Sequence, residues 1–92
     1  MSHDKTPPWP SPFERPSVIT PAQCRAARAL LDITLTDLAQ KAAIGISTVQ
    51  KFESGGKIHP LFLSTIQGHL EAEGVVFTEN NGVQLPYIPG IA

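Results

Sequence analysis

The stretch Arg28–Gly55, RALLDITLTDLAQKAAIGISTVQKFESG, decides the fold, because two turn signals divide it into three helical pieces. The first piece opens upstream, at Thr20-Pro21. Threonine can cap a free helix amide, and proline suits the first helical position. Cys24, Ala27, Arg28 and Leu31 then share one face at three-four spacing, and Asp32 ends the helix. The second piece starts at Thr34, whose hydroxyl reaches the amide of Asp37 in capping-box spacing, with Asp in place of Glu. Leu38, Ala39 and Ala42 form its inner face, and it ends near Ala43. The third piece runs from about Gly45 to Ser54, with Val49, Phe52 and Glu53 inward and Ser47, Gln50, Lys51 and Ser54 outward. Gly55-Gly56 stops it, glycine being the residue that enters the left-handed region without strain.

Working outward, Pro60 opens a fourth helix with Leu63, Ile66 and Leu70 at core spacing and Gly74 at its end. Gly68 inside it costs about 1 kcal/mol relative to alanine, and a close packing contact is the one reason the sequence suggests. After Gly74 the period changes. Val75 and Phe77, then Val83 and Leu85, alternate around Asn80-Asn81-Gly82, which predicts a β-hairpin. A three-residue loop with Gly82 left-handed pairs Phe77 with Leu85; a two-residue Asn81-Gly82 turn would set Thr78 against Leu85, a poorer match.

The chain thus divides into a Pro-rich arm (1–17), a helical domain (18–74), the hairpin (75–86) and a tail (87–92). Pro7, Pro8, Pro10, Pro12 and Pro16 deny the arm its helix donors and predict extended, solvated chain. Trp9 and Phe13, interleaved with the prolines, make a docking segment for a protein partner the alternative.

A length of 92 residues predicts one small domain. Cys24 is the only cysteine, which excludes an internal disulfide and a cysteine zinc site. It reads as a small core residue; a redox sensor needs exposure as well as a basic neighbour such as Arg25. His3, His59 and His69 stand at no ligand spacing, so neither metal nor cofactor is expected. His59 reads as a cap-region residue before the fourth helix, and His69 as part of a polar helix face. No nucleophile-base set or phosphate loop argues for an enzyme. No apolar run suggests a signal peptide or membrane span, and a cytoplasmic protein is the expectation.

The residues from Arg28 to Gly55 resemble the Cro/CI or Xre-type helix-turn-helix family. The resemblance rests on Arg28, Asp32-Ile33-Thr34, Leu38-Ala39, Thr48-Val49 and Glu53-Ser54-Gly55, continued by Pro60, Leu63, Ile66 and Leu70. It covers about 18–74, and the segment after Gly74 is similar to the short hairpin appended in some bacterial members. It implies a mainly α, four- to five-helix, lambda-repressor-like helix-turn-helix domain with a short C-terminal β-hairpin. The implied function is sequence-specific binding of double-stranded DNA by a homodimeric transcriptional regulator, with repression as the default. It implies that Arg28 and Glu53 form a structural salt bridge fixing the angle of the third helix. It places Ile46, Ser47, Gln50 and Lys51 on the base-reading side, where lysine can donate to guanine and glutamine can pair with adenine. Thr34 and the amides of the second helix would stand at a phosphate, with Leu35 on the same face, and Arg25 and Lys57 would reach flanking backbone.

Three positions depart from the family pattern. Ala43 stands at a common turn glycine, which costs on the order of 1 kcal/mol if the site needs positive φ. Leu35 replaces a polar phosphate-contacting residue, and Ile46 stands where Arg or Gln is frequent. Ile46 either packs on thymine methyl groups or, with Leu35, marks a protein-binding patch. Charge bears on the choice. The net charge is −1, and 18–74 holds Arg25, Arg28, Lys41, Lys51 and Lys57 against Asp32, Asp37, Glu53, Glu71 and Glu73. A monomer with so few cations binds DNA weakly, because each phosphate contact adds a salt slope of only about −0.9. Dimerisation answers this by reading two half-sites about 34 Å apart. The hairpin is the candidate device, with Val75, Phe77, Val83 and Leu85 buried between two copies; the alternative is a hairpin folded back over Leu30 and the first helix. The competing functional reading is a protein-binding module of antitoxin or anti-activator type with DNA binding weak or lost.

Overall fold

The computed structural model describes residues 18–85. The expectations for the arm 1–17 and the tail 87–92 lie outside the described residues. Four helices come first: α1 (Pro21–Leu31), α2 (Leu35–Ala42), α3 (Ile46–Glu53) and α4 (Pro60–Ala72). A small antiparallel sheet of β1 (Val76–Thr78) and β2 (Gly82–Gln84) follows. No helix among the described residues is long and apolar enough to cross a membrane.

Capping residues set the helix starts. Thr20 accepts from the Gln23 amide while the Gln23 side chain accepts from the Thr20 amide, a complete capping box. Thr34 and Asp37 repeat the arrangement at α2, both bonds being 3.0 Å. His59 caps α4 by accepting the Leu61 amide on Nδ1, whereas Gly45 gives α3 no side-chain cap.

All four helices end alike. At α1 the amides of Asp32 and Ile33 reach Ala29 and Arg28; at α2 those of Ala43 and Ile44 reach Gln40 and Ala39. At α3 Gly55 and Gly56 reach Phe52 and Lys51, and at α4 Gly74 and Val75 reach Glu71 and Leu70. This paired reversal is the Schellman motif, and it needs a left-handed residue at its centre. Asp32 and Ala43 hold φ 57°, Gly55 95° and Gly74 102°. The next residue at three of the ends is apolar (Ile33, Ile44, Val75) and returns to the core. Each turn is therefore fixed by two hydrogen bonds and, at those three, by a hydrophobic anchor. Leu38, Val49, Phe52, Ile66, Leu70 and Phe77 are the centre of that core.

The hairpin departs from expectation in register. Phe77 pairs with Val83, Val76 with Gln84 and Thr78 with Gly82. The loop does have three residues, but they are Glu79, Asn80 and Asn81, one position earlier than predicted. Asn80 and Asn81 both take φ 64°, a conformation asparagine tolerates better than most side chains. Gly82 is then a strand residue. A Cβ there would collide with the Thr78 hydroxyl, so closeness, not positive φ, demands the glycine.

The hairpin folds back on α1. Gln23, itself buried, donates through Nε2 to the carbonyls of Thr78 (2.7 Å) and Gly82 (3.0 Å), and the Thr20 hydroxyl donates to Asn81 Oδ1. Val75 and Phe77 are 3% and 1% exposed within the chain's own core. They are therefore not available to a second copy, contrary to the expectation for a dimer interface. Val83 is half-buried against the same core, and Leu85 alone of the four is exposed. Gly68 also departs from expectation: a Cβ there meets nothing within 4 Å, so no close packing explains it.

Candidate nucleic-acid interface

The two sides of α3 differ sharply. Val49, Phe52 and Glu53 are buried, while Ile46, Ser47, Gln50 and Lys51 are exposed. The helix starts where Gly45 leaves the extended region and stops at the Gly55 reversal. Its eight residues make a rod of about 12 Å. Ile46 is 47% exposed, an apolar residue in the first turn of an otherwise polar face.

Three side chains of α1 converge on the last residue of α3. Arg28 Nε meets Glu53 Oε2 at 2.7 Å and Arg28 Nη2 meets Oε1 at 2.7 Å, a two-pronged pairing. The hydrogen bond to Glu53 holds the Arg28 guanidinium above its ordinary pKa, against the opposing effect of burial. Cys24 Sγ lies 3.1 Å from Glu53 Oε2. Burial first, then the bond to the carboxylate, push its thiol far above the ordinary range; a neutral, buried thiol is a core residue and no nucleophile. Arg25 donates from Nη1 to the Glu53 carbonyl. Glu53 is 6% exposed, so its charge needs these partners. The Arg28–Glu53 bridge implied by the resemblance is thus present, and it ties α3 to α1 at the C-terminal end of α3.

Three expected contact residues also make contacts within the chain. Arg25, expected to reach flanking phosphate, is exposed and gives one N–H, from Nη1, to the carbonyl end of α3. Leu35 was expected on an outward face beside Ile46; it is half-buried and packs against the core cluster. Thr34 is exposed, yet its hydroxyl and amide are both bonded to Asp37. Those bonds hold the Asp37 carboxyl below the usual carboxylate range. An ionised carboxylate already occupies the positive end of α2, which leaves that end less inviting to a phosphate. Lys57 is exposed in the loop before α4.

A cleft of about 420 Å³ opens between α3 and α4, with Ser47, Lys51, Lys57, His59 and Phe62 on its walls. His59 and Phe62 meet edge to face, ring centres 6.1 Å apart. The sequence gives no signal for this cleft, whose walls join residues of α3, α4 and the loop between them. Among the described residues, no group of three His, Cys, Asp or Glu side chains is placed to hold a metal ion.

No protein-family model matches this chain, and no curated protein matches it significantly.

Proposed function

We propose that this chain is a sequence-specific DNA-binding transcriptional regulator of the Cro/CI (Xre-like) type, with α2 and α3 as its helix-turn-helix. The observation that carries the reading is the outward face of α3. Ile46, Ser47, Gln50 and Lys51 stand exposed while the opposite side is buried and tied at Glu53. A helix about 10–12 Å across with its side chains fits a major groove about 12 Å wide. Gln50 pairs with an adenine edge, Ser47 bonds base or phosphate, and Ile46 packs on a thymine methyl.

Because Arg28 is spent on Glu53 and Arg25 gives one N–H to the end of α3, few cations remain for the backbone. The protein therefore acts as a homodimer on a palindromic operator, doubling its phosphate contacts over half-sites about 34 Å apart. With Val75 and Phe77 enclosed, pairing between copies uses the open strand edges and Leu85. Repression is the mode of action, by occupancy of the operator.

The test is selection of duplex fragments from the native genome by the full chain at moderate salt, followed by affinity measurement with Gln50→Ala. The reading expects one enriched, roughly palindromic site whose affinity falls at least tenfold in the variant. Recovery of no preferred duplex, with a protein partner held tightly instead, favours the protein-binding module.

A further inference from the structure

We propose that the cleft between α3 and α4 is a clamp for a phosphodiester, in which Gly56 holds Lys51 beside Lys57, so that Lys51 grips DNA backbone and does not read a base. The inference rests on the DNA-binding reading and changes the role that Lys51 takes from its place in the sequence.

The stem of Lys51 lies against Gly56. A Cβ built on Gly56 would lie 2.6 Å from Lys51 Cγ, 3.2 Å from its Cε and 3.0 Å from its carbonyl oxygen. The alkyl chain of Lys51 therefore runs directly over the backbone of Gly56, at the C-terminal end of α3. Ile46 and Ser47 stand at the opposite end of the helix. The Gly56 amide donates to the Lys51 carbonyl at 2.8 Å, which locks the loop under that stem. Gly56 does not have the positive φ of Gly55. Its lack of a side chain serves the space that Lys51 occupies.

Charge favours the same ligand. Lys51 and Lys57 both line the cleft, with Ser47, and no carboxylate residue lines it. In a chain of net charge −1, two cations sharing a cleft without an acidic neighbour favour an anion. Ammonium groups suit a phosphate because they act as point charges and need no planar alignment, whereas base reading needs a donor held in register with a base edge. Gly56 is a positioning residue in this scheme, and Lys51 is the phosphate ligand.

The experiment measures the affinity of the full chain for its selected duplex and for a scrambled duplex of equal composition, over a series of salt concentrations. The variants are Lys51→Met, Gly56→Ala and the two together. Lys51→Met is expected to weaken both duplexes by the same factor and to make the salt slope shallower by about 0.9. Gly56→Ala, checked for an unchanged helical spectrum, is expected to reproduce the shallower slope and to add nothing in the Lys51→Met background. A tenfold fall in the selected-to-scrambled ratio for Lys51→Met makes Lys51 a base reader and overturns the inference. So does an unchanged slope in either single variant. Titration with inorganic phosphate is the remaining arm: amide shifts at Lys51 and Lys57 with phosphate, without any slope change on DNA, make the free anion the ligand. Failure of the unmodified chain to bind any duplex refutes the DNA-binding reading itself, and this inference with it.

Discussion

Replacing Arg28 by alanine removes the partner of a carboxylate that is 6% exposed. Two 2.7 Å bonds are lost, and Glu53 keeps only the Cys24 thiol at 3.1 Å on its side-chain oxygens. Breaking one side of a buried ion pair costs about 3–5 kcal/mol. Arg28 is itself 21% exposed, so water reaches the vacated space and the lower figure, about 3 kcal/mol, applies. Domains of this size have a total stability of about 5–10 kcal/mol, so Arg28→Ala forfeits a large share. With a urea slope of about 1 kcal/mol per molar, the midpoint falls by about 3 M at unchanged slope. Far-UV circular dichroism in urea reads it. Two results decide the reasoning. A midpoint loss under about 0.5 M in Arg28→Ala means that the Glu53 charge does not depend on Arg28. The double variant Arg28→Met with Glu53→Met removes both charges and should return to within about 1 kcal/mol of the parent; if it stays as unstable as Arg28→Ala, the loss is packing and not an orphaned carboxylate.

Ala43→Gly should raise stability by about 1 kcal/mol, since Ala43 holds φ 57° at the end of α2. Gly68→Ala should do likewise, because it sits inside α4 with open space where its Cβ would go; the same urea titration checks both. Cys24 should resist thiol-specific reagents in the folded chain and label only as fast as the chain unfolds, because burial and the Glu53 carboxylate keep it protonated. Asp37 has its folded pKa below the usual carboxylate value, so its stabilisation is present above about pH 4 and is lost as pH falls through the folded pKa. Asp37→Asn should flatten that acid limb while leaving the limb above pH 5 unchanged in an acid titration followed by circular dichroism.

The helices were legible because their signals are local. Thr20, Thr34 and Pro60 mark starts, and Gly55 and Gly74 mark stops, through bonds spanning only a few residues. The Arg28–Glu53 bridge came through the family resemblance, not through periodicity. What stayed hidden depends on contacts distant in sequence. Gln23 was not picked out, although Thr20-Pro21-Ala22-Gln23 has capping-box spacing; its burial follows from its bonds to Thr78 and Gly82 in the hairpin. Gln67, also buried, accepts the Ile19 amide from the far end of the domain. The hairpin register slipped because a glycine beside two asparagines was assigned the left-handed position that the asparagines themselves take. On α3, Ile46, Ser47, Gln50 and Lys51 are exposed as expected. Leu35 is half-buried against the core and exposed Arg25 gives one N–H to the Glu53 carbonyl, contacts that pattern alone does not reveal.

The most direct test maps amide chemical shifts of the full chain on titration with its best selected duplex. The account predicts the largest changes at Ile46, Ser47 and Gln50, with smaller ones at Lys51, Gly56 and Lys57, and none confined to α1. Changes that avoid α3 altogether, or the absence of any change at saturating duplex and moderate salt, contradict it.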